Sequence, residues 1–393
     1  MGSQAPVKFL PPGKDRHEAI RLTFSYRTES VTASRIRMIF NIYHDGGDRV
    51  CGTVIPDSYS SICRIRASVL GREVGVFPTD EFNQGVRDVG AHETGLVNFS
   101  ITEEKLPGLS TFEDLELHEA DSNLLLYRRF RPGMISQKFL RLETQLLPLW
   151  RLDEAVKHRF QQYYREIEAL GRGCTTQLFH LSQDSIYASG RILIKNFMFC
   201  VDNGFKFIAM VRDPYEELAE RLLVMNKIEK GGVNPLGERE LMNLREAIDY
   251  SGTLPIDNER AFTRALRRMP MDVAMSLANP VVRQFSTSTL DEQPSQGGVA
   301  AALDVLAQSS LVGLRVESEQ FASSFGELVG EDLTNTSLFP VFPKAIELAE
   351  IIRGSGYCDT ILEKDLELYG YVLESRRRAA MDADSFAGGM SSR

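Results

Sequence analysis

The chain has 393 residues, of which 43% are hydrophobic and 25% are charged, a composition typical of a globular protein long enough for two domains. Its formal charge of −9 at neutral pH, with no basic stripe, argues against a nucleic-acid-binding protein. The start has no apolar signal-peptide core and no run of about eighteen apolar residues follows, so we expect a cytoplasmic protein without a membrane span.

Five cysteines and six histidines are scattered through the chain without a CxxC, HxH or HxxxH pair. Structural zinc sites usually draw their ligands from such closely spaced pairs. We therefore expect reduced cysteines, no disulfide framework and no structural metal.

The first elements in chain order are short β-rich runs. After a segment expected to be flexible at residues 1–19, runs such as SRIRMIFNIY and TGLVNFSI alternate with turn segments such as HDGGD and EKLPGL. Strands separated by frequent turns are typical of antiparallel sheets. The pattern predicts an accessory β-sandwich domain over residues 20–130.

Part of this region resembles a small β-domain found beside bacterial surface-polysaccharide glycosyltransferases and sulfotransferases. Thr53 stands where that module often carries an aromatic residue, and a sandwich whose glycines simply serve turns is the alternative. The resemblance implies a role close to glycans. It rests on Gly52, Pro56, Gly71, Val74, Arg87, Asp88, Gly95 and Leu96.

The pattern changes near residue 137. In RLDEAVKHRFQQYYREIEALG, apolar residues recur every three or four positions from Val156 to Leu170, with Asp153 as a cap and Gly171 as the stop. This spacing predicts an amphipathic helix.

A βαβ unit is predicted next. It consists of a strand at 175–181, a loop at 182–190, a helix at 191–203, a strand at 205–211 and a helix after Pro214. Such a unit implies a parallel sheet. The later segments are mostly helical, apart from a polar, exposed loop at 286–298. We predict an α/β domain over residues 131–376 and a disordered tail over 377–393.

The stretch FHLSQDSIYASG is the predicted anion site. A loop that leaves a parallel strand and enters a helix points backbone N–H groups at one spot, which favours an anion. Arg191 after the loop and Arg212 at the end of the next strand are placed to bind a dianion, although Arg212 could instead pair with Asp213 or Glu216. The candidate binding residues are Ser182, Ser185, Ser189, Gly190, Arg191 and Arg212.

Four segments in order resemble the bacterial sulfotransferase family related to carbohydrate sulfotransferases. The family likeness implies a P-loop-like fold and 3′-phosphoadenosine 5′-phosphosulfate (PAPS) as the donor, held by the loop, Arg191 and Arg212. It implies a sugar hydroxyl of a surface polysaccharide or lipid-linked glycan as the acceptor. Polysaccharide-assembly enzymes are the implied partners, in the cytoplasm or at the periphery of the inner membrane. The segments are RDPYEE from Arg212, SLANPVVRQF with Asn279 and Arg283, SSLVGLRVESEQFASSFGELVG, and LEKDLELYGYVLE.

Two positions depart from the family. The phosphate-loop lysine is missing, and losing a preorganised donor of this kind costs about 3–4 kcal/mol of transition-state stabilisation. Glu220 replaces the serine expected eight residues after Arg212 and would repel a 3′-phosphate. Three functions remain open: an active sulfotransferase, a protein that binds another phosphorylated or sulfated ligand such as a nucleotide-linked sugar, and a catalytically silent glycan-binding or scaffold partner.

Sulfuryl transfer to a sugar hydroxyl also needs a general base. The candidates are His180, Asp184 and Glu143. Each has a structural alternative. His180 could be a strand-end histidine bound by the backbone, Asp184 a turn cap, and Glu143 part of a connection, KFLRLETQLLPL, that packs its leucines between the domains.

Overall fold

The computed structural model of the chain describes residues 38–232, 234–334 and 342–390. The predicted flexible segment at 1–19 and the predicted strand RLTFSY lie outside these residues. The remaining elements of the first region and the whole predicted βαβ unit lie within them.

Two antiparallel sheets form the first part of the described chain. Their inward-facing residues alternate with outward-facing ones, as in the last long strand of the first sheet, where Val97, Phe99 and Ile101 are buried. Both sheets contribute to one hydrophobic core. The predicted antiparallel arrangement is confirmed. The strands are β1 (Ile39–Asp45), β2 (Arg49–Ile55), β3 (Arg64–Val69), β4 (Arg72–Pro78), β5 (Glu81–Phe82), β6 (Leu96–Thr102), β7 (Leu115–Glu119) and β8 (Leu125–Arg128), with α1 (Gln84–Asp88) after β5.

The first sheet has the strand order β1-β2-β6-β5 and the second has the order β4-β3-β7-β8. The outer edge of β1 is not left open. Gln177 and Gln183, which follow much later in the chain, donate their side-chain amides to the carbonyls of Phe40 (3.0 Å) and Ile42 (3.2 Å). Such contacts satisfy edge carbonyls that would otherwise offer a pairing surface.

A five-stranded parallel sheet forms the centre of the second part, in the order β10-β11-β9-β12-β13. The predicted α/β class with a parallel sheet is therefore confirmed. The central strand β9 was not predicted, because KFLRL was interpreted as part of a connection. The strands are β9 (Lys138–Leu142), β10 (Gln162–Tyr164), β11 (Ile186–Gly190), β12 (Phe205–Val211) and β13 (Ser309–Leu314).

Helices surround this sheet and fill most of the chain after β12. The prediction that the segments after Pro214 are mostly helical is confirmed, but Ser309–Leu314, whose first residues were expected to be helical, forms β13. The last helix continues to Met390, past the predicted start of a disordered tail, through a stretch rich in alanine and arginine, which are good helix formers. The helices are α2 (Trp150–Val156), α3 (Gly171–Phe179), α4 (Pro214–Glu229), α5 (Glu238–Asn243), α6 (Arg245–Gly252), α7 (Glu259–Arg267), α8 (Met271–Leu277), α9 (Pro280–Ser286), α10 (Gly298–Ala307), α11 (Ser318–Val329), α12 (Pro343–Ser355) and α13 (Asp359–Met390).

The prediction of one long helix from residue 151 to residue 171 is wrong. Helix α2 ends at Val156, and the chain then extends into β10. Tyr163 in β10 stacks on Tyr187 in β11, with the ring centroids 5.8 Å apart. Burial of these rings in the sheet outweighs the helical spacing of the apolar residues.

The predicted strand at 175–181 and the predicted loop at 182–190 are also wrong. Residues 171–179 form α3, whose buried face includes Cys174 and Leu178 one turn apart. The last five residues of the predicted loop, IYASG, form β11 and are all buried, as is typical of a central parallel strand. Residues 191–203 contain a 3-10 helix (Ile194–Cys200) instead of the predicted α-helix.

Candidate functional site

The carboxyl edge of the parallel sheet is where an open α/β sheet usually binds its ligand. Strands β9 and β12 are neighbours, and the chain leaves them towards opposite sides of the sheet, to β10 and to β13. Ser189, Gly190, Arg191, Arg212 and Glu143 all lie at this edge, within β11 or directly after β9, β11 and β12.

The remaining predicted residues lie at the other edge. His180, Ser182, Asp184 and Ser185 precede β11 instead of following a strand, so the structure separates them from the arginines. The His180 ring stacks on Phe199, with centroids 5.0 Å apart. The two sets of candidates do not form one pocket.

Within this separated set, Ser185 has a structural contact. Its buried hydroxyl accepts a hydrogen bond from the backbone N–H of Gln161 (2.9 Å). Ser182 and Asp184 are exposed.

A buried ion network fills the space beside β9 and β11. Arg141 donates to Asp153 from Nε and Nη2 (2.8 Å each) and to Glu143 from Nη1 (2.7 Å). Asp153 also accepts from the hydroxyls of Tyr187 (2.6 Å) and Ser189 (2.9 Å). These two carboxylates hold the pKa of Arg141 above its usual range, despite complete burial. Ser189 is thus engaged in the network.

The loop from residue 143 to residue 149 places Glu143 among its own backbone amides. Glu143 accepts from the N–H groups of Leu149 (2.8 Å) and Gln145 (3.3 Å), while Glu217 accepts from the N–H of Leu146 (3.1 Å). A loop between a parallel strand and a helix is a usual place for a phosphate. Here the protein's own carboxylates occupy these donors, so Glu143 is not free to act as a base.

Arg191 directly follows β11 and is fully engaged by carboxylates. It donates from Nε and Nη2 to Glu240 (2.7 Å each), and Glu168 lies 3.2 Å from Nη2. Glu168 also accepts from the Arg191 backbone N–H (2.9 Å), and burial raises the pKa of Glu168 to about 7. The charge of Arg191 is therefore compensated within the chain.

Gly190 allows this close approach. A Cβ atom at Gly190 would lie 2.3 Å from Glu168 Oε2 and 2.8 Å from Ile167 Cγ1. Only glycine leaves room for the carboxylate beside the end of β11.

Arg212 directly follows β12, and it too is paired inside the chain. Its Nη1 lies 2.7 Å from Glu220 and its Nε lies 3.2 Å from Glu216. The alternative that Arg212 pairs with Glu216 is confirmed, whereas Asp213 caps α4 and contacts Arg353 (3.0 Å). Glu220 stands where the resemblance led us to expect a serine, and it neutralises the arginine that was expected to hold a phosphate.

A cavity of about 300 Å³ opens on the same side of the sheet. Its size is at the lower end of the range for small-molecule sites. We call it the arginine cavity, because Arg191, Arg221 and Arg283 line it; Arg212 does not.

Arg283 on α9 is 9% exposed and forms no ion pair with a described residue. Its Nη1 donates to the carbonyl of Ser276 (3.2 Å), and its Nη2 donates to those of Met275 (2.5 Å) and Ala278 (2.8 Å). These carbonyls belong to the end of α8, so Arg283 caps that helix. Its buried Nε has no hydrogen-bond partner within the described chain.

The electrostatics of the arginine cavity are unbalanced at Arg283. Burial lowers the pKa of Arg283, and the positive charge of Arg221 lowers it further, against a weaker attraction from Asp365. Arg221 itself is compensated by Glu217, which accepts from its Nε (2.7 Å). A buried cation without a paired anion is unfavourable, so an anionic ligand here would stabilise the protein.

Two glutamines add amide groups to the arginine cavity. Gln284 Nε2 is buried and has no partner among the residues described. Gln293 accepts from Arg283 Nη2 (3.0 Å) and donates to the Met275 carbonyl (2.9 Å). Arg283 Nε and Gln284 Nε2, which belong to two consecutive residues that line the arginine cavity, both lack hydrogen-bond acceptors within the described chain.

Sequence reasoning did not select this cavity, although Arg283 was one of the residues that carried the family resemblance. No cluster of three or more potential metal ligands occurs among residues 38–232, 234–334 and 342–390. All five cysteines are free and buried. In the described part of the chain, no helix has the length and apolarity needed to cross a membrane.

Comparisons with known proteins identify no relative of the chain. No protein-family model, no curated protein and no solved structure matches the chain.

Proposed function

We propose that this chain is a sulfotransferase-like protein that binds a phosphate or sulfate ester in the arginine cavity and does not itself transfer a sulfuryl group. One observation carries the proposal. Arg283 is a buried cation with an unpaired Nε, next to the unpaired Nε2 of Gln284, in a cavity at the carboxyl side of a parallel sheet. An oxyanion bound in the cavity would supply the missing negative charge beside Arg283.

Catalytic silence is supported by the state of the predicted donor site. Arg191 and Arg212 are each paired with two carboxylates, and Glu143 accepts the loop amides that a phosphate would need. The family's lysine is missing from the sequence. The bound ligand would be a nucleotide or a sulfated or phosphorylated glycan, as expected of a partner in polysaccharide assembly.

Sulfuryl transfer from PAPS to a polysaccharide hydroxyl is the second candidate. The observation that favours it is Asp291, an exposed carboxylate that lines the arginine cavity and could accept a proton. A transfer assay with PAPS and polysaccharide acceptors separates the two candidates. Product formation would overturn the silent role.

Calorimetric titration with 3′-phosphoadenosine 5′-phosphate tests the binding itself. We expect saturable binding with a Kd below about 1 mM, which corresponds to more than about 4 kcal/mol. Inorganic sulfate and a nucleotide-linked sugar, titrated in parallel, identify which part of the ligand is recognised. If none of the three binds at millimolar concentration, the proposal is wrong.

The matched variants are Gln284→Glu and Gln308→Glu. The first places a carboxylate in the arginine cavity with little change in volume, and repulsion should weaken binding at least about tenfold. Gln308 is exposed on the turn after α10, so the same substitution there should leave binding unchanged. Arg283→Lys keeps the charge and should retain part of the affinity while losing the fork geometry.

A further inference from the structure

Helix α7 carries a face of four exposed arginines: Arg260, Arg264, Arg267 and Arg268, the last of which caps the helix. At 3.6 residues per turn, they lie within an arc of about 100°. Phe262 and Leu266 lie on the opposite side of the helix and are buried. We call these four residues the arginine face.

None of the four arginines forms an ion pair with a described residue, although Arg267 lies over the Tyr357 ring at 5.8 Å. Other exposed arginines do pair, such as Arg245 with Asp249 at 2.7 Å. An unpaired group of cations is unexpected on a chain with a formal charge of −9. Such a group of exposed cations attracts negatively charged partners.

Within residues 257–272, the acidic residues lie at the two ends of the arginine face. Asp257, before the helix, is 3.8 Å from Lys344. Glu259 is in the first turn, about 100° around the helix from Arg260, where the helix dipole stabilises it. Asp272 follows the helix and accepts from the N–H of Val273. The middle of the face is therefore cationic only.

Methionines flank the arginine face. Met271, three residues after Arg268, is 77% exposed, and Met275, one turn later on α8, is 42% exposed and lines the arginine cavity. Flexible apolar side chains beside arginines suit a lipid surface, where the cations contact phosphates and the methionines reach the acyl boundary.

We propose that the arginine face of α7, with Met271 beside it, docks this protein on an anionic phospholipid surface. The apolar side of α7 stays in the protein core, so the contact is peripheral and mainly electrostatic. The docking depends on α7 and does not require that the cavity bind a ligand.

RNA is the competing anionic partner, and two observations favour the membrane. Proteins that bind single-stranded RNA combine cations with aromatic rings that stack on bases. Here two exposed methionines follow the arginines, and Arg267 lies over the Tyr357 ring, which is 46% exposed. One such ring does not form the series of stacking platforms that successive bases need. The net charge of −9 also opposes a long nucleic-acid track.

The test is sedimentation of the full chain with vesicles of phosphatidylcholine, with or without about 30% phosphatidylglycerol. We expect binding only to the anionic vesicles and its loss at about 0.5 M salt. Each arginine near an anionic surface raises partitioning about fivefold, so Arg260→Glu/Arg264→Glu/Arg268→Glu should lower it more than about 100-fold.

The control variant is Arg49→Glu/Arg72→Glu/Arg87→Glu, which makes the same charge change at exposed positions in β2, β4 and α1. Its partitioning to anionic vesicles should fall by less than about fivefold, because only the net charge changes. The lysine version of the α7 triple variant should bind like the unmodified chain, and circular dichroism checks that each variant is folded.

Three outcomes would overturn the proposal: equal binding to neutral vesicles, equal loss in both glutamate variants, or competition by polyuridylate at phosphate concentrations well below those of the lipid. The last outcome would assign the face to nucleic acid.

Discussion

Asn279 and Asp365 join α9 to α13 by reciprocal hydrogen bonds. Asn279 Oδ1 accepts from the N–H groups of Lys364 (2.9 Å) and Asp365 (3.2 Å) in α13, and the Asp365 carboxylate accepts from those of Val281 (3.1 Å) and Val282 (2.8 Å) in α9. This exchange fixes the start of α9, the helix that carries Arg283 and Gln284 into the arginine cavity. Two segments that supported the family resemblance, SLANPVVRQF and LEKDLELYGYVLE, therefore meet.

Asp365→Asn should change how stability depends on pH. Burial raises the pKa of Asp365 to about 6, above the value near 4 expected in the unfolded chain. The folded state therefore binds the proton more tightly. The stabilisation from protonation is complete below about pH 4 and is lost as pH rises to about 6, a change of about 3 kcal/mol.

Urea unfolding at a series of pH values from about 4 to 7 measures this contribution. Asparagine does not titrate, so the Asp365→Asn variant should lack the loss of stability between about pH 4 and about pH 6. Asp249→Asn, at an exposed ion pair on α6, is the control and should leave the profile unchanged. The argument fails if the Asp365→Asn profile is parallel to that of the unmodified chain.

Asn279→Ala should destabilise the chain by about 2–4 kcal/mol, because two amides of α13 lose their acceptor and alanine must adopt a left-handed backbone. Asn279 has φ +44°. Asn123, with φ +58° in an exposed turn, is the control; alanine there carries the backbone cost of about 1–2 kcal/mol and loses only an exposed hydrogen bond from Arg66. Equal losses of unfolding free energy for the two variants would show that the hydrogen bonds from α13 to Asn279 contribute nothing to stability.

The fold class could be predicted because strong signals agree over long segments. The amphipathic helices after Pro214 and the apolar run that forms β12 carry enough periodicity to be identified alone. Strand β9 could not be identified from the sequence, because its five residues include a lysine and a buried arginine. Arg141 is accepted in the sheet centre only because Asp153 and Glu143 neutralise it, and that pairing is invisible in the sequence.

The candidate site was predictable only in part. Placing a strand at 175–181 put the loop after a strand instead of before one, and this reversed the edge on which His180 and Asp184 lie. Glu220 was recognised as an obstacle to a phosphate at Arg212, and it is the carboxylate that pairs with this arginine. The position of Arg283 in the cavity depends on how α8 packs against α9, and no local sequence pattern indicates that packing.

Arg141→Met should cost about 3–5 kcal/mol of unfolding free energy, because Asp153 and Glu143 would remain buried without their cation. Asp153→Asn added to this variant should recover part of the loss, since it removes one uncompensated charge. Chemical denaturation measures both. Arg245→Met, at an exposed pair, should change stability by less than about 0.5 kcal/mol.

If Arg141→Met lowers the free energy of unfolding no more than Arg245→Met does, the buried ion network does not stabilise the packing of β9 against β11. An additive loss in the Arg141→Met/Asp153→Asn double variant would equally contradict the coupling.

Gly190→Ala and Gly173→Ala form a matched pair with opposite expected signs. At Gly190 the added methyl meets Glu168 Oε2 at 2.3 Å and the backbone N of Ile167 at 2.9 Å, so the carboxylate that pairs with Arg191 must move. Overpacking of this kind costs about 1–3 kcal/mol. Gly173 is exposed on α3 and has no atom within 4 Å of the added position, so alanine there should stabilise the helix by about 0.5–1 kcal/mol.

Thermal unfolding of the two variants beside the unmodified chain gives the sign of each change directly. A lower Tm for Gly190→Ala with a higher Tm for Gly173→Ala supports the placement of Glu168 against the end of β11. Stabilisation by both substitutions would mean that the space beside Gly190 is open. In that case, the Glu168 carboxylate would not lie close enough to pair with Arg191, and Glu240 alone would compensate the charge of Arg191.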